Sequence, residues 1–116
     1  MGHSDGGSAA TEGNPLPVSF NGRSKVVVPA GGEVWSDPTE LDTAAQDDVV
    51  VSLSVSGTVA PGTHNSAFRT NYLTPPGSGD HTTDTSGAPF SETTGSTYLV
   101  SAVDVHNPRL RGTLVA

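Results

Sequence analysis

Apolar positions in this chain fall in short runs that alternate with polar residues or end on Gly and Pro. None of them sustains the 3.6-residue period of an amphipathic helix. The clearest alternation is Asp48–Val55, where Val49, Val51, Leu53 and Val55 share one face of a half-buried strand. Upstream, Pro17–Phe20 and Arg23–Val28 flank Asn21-Gly22, a dipeptide suited to the positive φ values of a type I′ turn, so the pattern predicts a β-hairpin. Pro29-Ala30-Gly31-Gly32 breaks the second run. Glu33–Ser36 then forms a short strand ended by Asp37-Pro38, and its Trp35 is expected to be core, because a thin sandwich needs its largest apolar side chain inside.

Thr39–Asp48 reads as an acidic connection and Ser56–Thr63 as a turn region. Ser66–Leu73 alternates weakly as a further strand. Residues 74–97 turn to Pro, Gly, Ser, Thr and Asp and are expected to be a long functional or interaction loop. Thr97–Val105 is a well-formed strand closed by His106-Asn107-Pro108, and Arg111–Ala116 starts another. Residues 1–14 carry no strand signal and are expected to be a flexible tail. The fold class is therefore all-β: an antiparallel β-sandwich or partial jelly roll over residues 15–116.

Composition supports this reading. Among 116 residues there are 14 Gly, 9 Pro and 28 Ser or Thr, which favour turns and strand surfaces over helix interiors. Apolar residues make up 33%, so the core must be thin. A net charge of −7 repels phosphate backbones and anionic lipid surfaces, which argues against nucleic-acid and membrane partners. The chain has no Cys, which excludes disulfides, thiol catalysis and Cys-ligated zinc. It also has no apolar run of membrane-spanning length, and Met1–Pro17 lacks the basic and apolar regions of a signal peptide.

Candidate chemistry is sparse. Gly-x-Ser-x-Gly does not occur, and Ser78 and Ser96 read as turn residues. Asp80, His81 and Asp84, with His64, are numerically able to hold a metal. Their spacing is weak, and local turn hydrogen bonds are the simpler use of such side chains, so no metal or other cofactor is assigned. Tyr72 and Tyr98 are aromatics suited to stacking on a sugar or a partner surface. With Asp80 and His81 they are the candidate ligand or partner contacts.

Several segments share a collinear likeness to one family: Pro17–Gly22, Val26–Pro38, Asp48–Val55, Thr70–Leu73, Gly79–Thr82 and Tyr98–Val105. In that order they resemble the non-catalytic β-domain preceding the catalytic domain in a branch of the GDSL/SGNH hydrolases. The likeness covers roughly residues 16–116. In the family, a strand similar to Arg111–Ala116 leads into the Gly-Asp-Ser block that carries the nucleophile. The family's nucleophile, oxyanion-hole residues and Asp/His pair have no matching positions here, so the resemblance implies no catalytic residue.

The resemblance implies an accessory domain of a secreted or extracellular esterase or lipase, with the parent's catalytic domain as partner. Arg109 and Arg111 are candidates to pair with acidic groups of that neighbour, the alternative being ordinary terminal solvation charge. The alternative is a self-sufficient module that binds carbohydrate or another extracellular ligand through residues 74–97 with Tyr72 or Tyr98. Leu114 and Val115, where they lack a cover, are expected to drive self-association, either as a homodimer or as less regular aggregation.

Overall fold

The computed structural model describes residues 1–44, 46–57, 63–65, 68–106 and 113–115. Among these there is no helix, and the strands are short: β1 Gly2–Ser4, β2 Thr11–Glu12, β3 Val49–Val50, β4 Thr63–His64, β5 Asn71–Leu73, β6 Glu92–Thr94, β7 Thr97–Tyr98, β8 Asp104–His106 and β9 Thr113–Val115. They form a three-stranded sheet in the order β2-β1-β3 and three two-stranded pairs, β4-β7, β5-β6 and β8-β9. Every pairing is antiparallel. The described chain is thus built of small antiparallel sheets, and the Gly, Pro, Ser and Thr content explains why they stay small.

The segment expected to be a flexible tail instead supplies the middle strand of the largest sheet. His3 of β1 lies opposite Glu12 on one side and Val49 on the other. The Met1 ammonium donates to the Leu16 carbonyl at 2.8 Å, and the Leu16 N–H donates to the Met1 carbonyl at 2.7 Å. Between β1 and β2, Asp5 turns the chain by accepting from the Gly7 and Ser8 amides and the Ser8 hydroxyl. Backbone pairing and small side chains order this region, and neither leaves a hydrophobic period in the sequence.

The same segment anchors the long loop. The Thr11 N–H donates to the Thr85 carbonyl at 3.0 Å. Gly87 lies so close to Ala9 and Ala10 that a Cβ there would sit 3.1 Å from the Ala10 nitrogen. Residues 74–97 are also not wholly loop, because they contain β6, which pairs with β5 in the register Asn71–Thr94, Tyr72–Thr93 and Leu73–Glu92.

Other expected strands are shorter than their patterns. In Asp48–Val55 only Val49 and Val50 enter a ladder, and Leu53 and Val55 are exposed. The long strand expected at Thr97–Val105 is divided into β7 and β8. Leu99 between them adopts φ 67°, a left-handed conformation that no extended run accommodates. Of Ser66–Leu73, the strand β5 occupies only Asn71–Leu73, and residues 66 and 67 lie outside the described residues. β9 pairs with β8, Val105 facing Leu114. Residues 58–62, Arg109, Arg111 and Ala116 lie outside the described residues, as do the side chains of His64, His106, Leu114 and Val115.

Candidate functional site

The Asn21-Gly22 turn is the best-defined local feature. Asn21 has φ 51° and Gly22 φ 77°, the paired positive values of a type I′ turn. Phe20 and Arg23 bridge across it, the Phe20 N–H donating at 2.8 Å and the Arg23 N–H at 3.1 Å. The flanking runs do not extend the ladder. The turn is fixed instead by Asp37, whose carboxylate accepts from the Ser19 hydroxyl at 2.7 Å, the Gly22 N–H at 2.8 Å and the Asn21 N–H at 3.0 Å.

The two successive amides form a small anion-binding concavity, and the protein's own carboxylate fills it. The Gly22 amide, then the Ser19 hydroxyl and the Asn21 amide, hold the Asp37 carboxyl below the usual carboxylate range. In the sequence Asp37 reads only as a strand terminator. Its clamping role has a sequence separation of 15–18 residues, which no local pattern encodes.

Asp80 and His81 lie together in a second turn. Asp80 Oδ1 accepts from the Thr82 hydroxyl at 2.7 Å and the Thr82 N–H at 2.9 Å, which together with the His81 and Lys25 charges lower its pKa, the Thr82 hydroxyl first. His81 places Nδ1 2.8 Å from Asp84 Oδ2 and Nε2 3.0 Å from the Ser78 carbonyl oxygen. A neutral imidazole has one N–H and can serve only one of these acceptors, whereas the imidazolium serves both. The hydrogen bond to Asp84 accordingly raises the His81 pKa; desolvation opposes it, and the weaker effects of the Ser78 carbonyl and of the Asp84 and Asp80 charges add to the rise.

The Phe90 ring meets the imidazole edge-on, with centroids 6.3 Å apart. Both ring nitrogens thus face a carboxylate and a backbone carbonyl, so His81 is not set against a serine hydroxyl. Among the described residues no three His, Asp or Glu side chains gather in a way that would hold a metal ion.

Tyr72 and Tyr98 sit on different two-stranded sheets that one side chain joins. The Asn71 amide on β5 donates to the Ser96 carbonyl at 2.9 Å and the Thr97 hydroxyl at 3.1 Å, at the start of β7. Each tyrosine is the next residue along from this link. The Tyr72 hydroxyl donates to the Gly7 carbonyl at 3.2 Å, and both tyrosines are half-buried. The four candidate residues therefore divide into the Asp80–His81 turn and the tyrosines of the Asn71-linked strands. Asn71 itself carries no chemistry that sequence alone would single out.

The most consequential feature is apolar surface. Among the described residues no hydrophobic side chain is buried, and Gly2 is the only residue that is. Trp35, expected in the core, is 62% exposed, Val27 89% and Phe68 96%. Trp35 lies outside because Glu33–Ser36 joins no ladder that would direct it inward. The accessible surface is 8956 Å² for 11.7 kDa, against about 5,900 Å² for a folded monomer of that mass. The described residues therefore leave apolar side chains exposed that an ordinary domain covers.

Comparison of the chain with protein-family models, with curated proteins and with solved structures yields no match.

Proposed function

We propose that this chain is a non-catalytic β-module that works by packing against a partner domain, which completes an antiparallel sandwich over its uncovered apolar residues. The observation that carries this reading is the exposure of Val26–Val28, Val34, Trp35, Leu53 and Val55 in a chain whose described residues bury no hydrophobic side chain. Covering apolar surface contributes about 25 cal/mol per Å², so surface on this scale is a strong driving force for association. The resemblance to the region preceding the catalytic domain of GDSL/SGNH hydrolases makes the partner the catalytic domain of a secreted ester hydrolase. Without that partner, the same residues offer a second copy of the chain a place to dock.

The test is to express the chain alone and joined to the polypeptide encoded directly after residue 116, and to compare amide hydrogen exchange. The expected result is a Gly-Asp-Ser-containing continuation and new protection over residues 26–35 and 53–55 in the joined protein. A stop codon after residue 116, or unchanged exchange in those segments, would overturn the proposal.

A further inference from the structure

A groove of about 610 Å³ lies beside the Asn21-Gly22 turn, lined by Phe20, Arg23, Lys25, Val26, Val27 and Ser56, with Asn21 at its edge. Its volume is within the ~300–1,000 Å³ of small-ligand sites. Its chemistry is the reverse of the rest of the molecule. The chain has 5 Lys and Arg against 12 Asp and Glu, yet two of the five cations line this one groove. Neither Arg23 nor Lys25 has an ion-pair partner within 4.0 Å among the described residues. Lys25 feels Asp80 only as a minor influence on that carboxylate.

The turn geometry sets how these groups are presented. Residues directly opposite in an antiparallel bridge project to the same face, so Phe20 and Arg23 share one face of the turn, and both line the groove. Lys25 follows two residues after Arg23 and lines the same groove, with Val26 and Val27 adding apolar wall. Asp37 clamps the turn between Phe20 and Arg23 through three hydrogen bonds. An apolar surface next to two cations that have no ion-pair partner among the described residues matches one class of ligand, an anion with an apolar body.

We infer that this groove binds a small aryl or alkyl carboxylate, with the apolar body against Phe20, Val26 and Val27 and the carboxylate between Arg23 and Lys25. This site rests on the turn and groove geometry and shares Val26 and Val27 with the surface assigned to the partner domain, so it is a site of the chain on its own. Arg23 suits the carboxylate because its planar fork donates two parallel hydrogen bonds, and Lys25 adds a mobile charge. Because the groove is open, its ion pairs are screened by salt.

The experiment is a titration of the ¹⁵N-labelled chain with 4-phenylbutyrate, followed by amide chemical shifts, with 4-phenylbutan-1-ol as the neutral counterpart. The expected result is saturable shifts at Phe20, Arg23, Lys25, Val26, Val27 and Ser56 with the carboxylate and clearly weaker ones with the alcohol. Loss of one exposed pair weakens binding by about three-fold, so Arg23→Gln and Lys25→Gln together are expected to weaken it by about ten-fold, and Lys25→Arg to retain it. Unchanged Asn21 and Gly22 amide shifts in each variant establish that the turn is intact. Equal binding of acid and alcohol, undiminished binding by the double variant, or no saturable shift in the wild-type chain would overturn the proposal.

Discussion

Replacing Gly22 by Ala tests the clamped turn at its most constrained point. A Cβ at this position would meet no atom within 4 Å, so the substitution causes no clash, and its whole effect comes from φ 77°. Holding an L-residue in the left-handed region costs about 1–2 kcal/mol, equivalent to a five- to thirty-fold fall in the population of the turn. The loss is expected to spread to Asp37, because the Gly22 amide is the largest influence holding its carboxyl pKa down.

The assay is NMR: the cross-turn contact between Phe20 and Arg23 is expected to weaken, and the Asp37 carboxyl to titrate at higher pH than in the parent. D-Alanine at the same position favours positive φ and is expected to retain both signals. The reasoning fails if the L-Ala variant keeps the Phe20–Arg23 contact and the Asp37 titration, or if the D-Ala variant loses them to the same extent.

The Asp37 clamp has a defined pH window. Its folded pKa is depressed, so the clamp's contribution is complete above the unfolded value of ~3.9 and is lost as pH falls through the lower folded value, which ¹³C carboxyl titration reads directly. His81 behaves in the opposite sense. Its raised pKa means that the 78–84 turn is favoured below ~6.5 and loses that support as pH rises through the higher folded value. Asp84→Asn is expected to move the His81 titration back toward ~6.5, as followed by its ring-proton shift. Trp35 is expected to be quenched by acrylamide nearly as efficiently as free N-acetyltryptophanamide, and marked shielding would place it in a core.

The parts of the fold legible in the sequence are those set by residues next to one another. Asn21-Gly22 marks its turn because both residues accept positive φ, and Val49-Val50 and Asn71–Leu73 lie within runs whose alternation marks strands. What escapes a local reading depends on distant partners. Gly2–Ser4 has no apolar pattern and becomes a central strand through its pairing with residues 11–12 and 49–50. Leu99 looks like the middle of a strand, and only its positive φ reveals the break.

The candidate site divides in the same way. Asp80 and His81 are recognisable as turn residues because their partners lie two and three positions away. Asp37 and Asn71 act across 15–26 residues, and no spacing rule points to them. Arg23 and Lys25 stand out only when they are seen to line one groove in an otherwise acidic chain.

Scanning calorimetry of the chain on its own tests most directly the claim that its apolar surface awaits a partner. A self-sufficient domain of 116 residues unfolds with an enthalpy of about 80 kcal/mol near 60 °C and a heat-capacity increase of about 1.5 kcal/mol/K, because unfolding exposes a dry core. Here the described residues bury no hydrophobic side chain, so the account predicts no cooperative endotherm and only a small heat-capacity change on heating. A single sharp transition with the full enthalpy and heat-capacity increment, from a species that sedimentation shows to be monomeric, would contradict it.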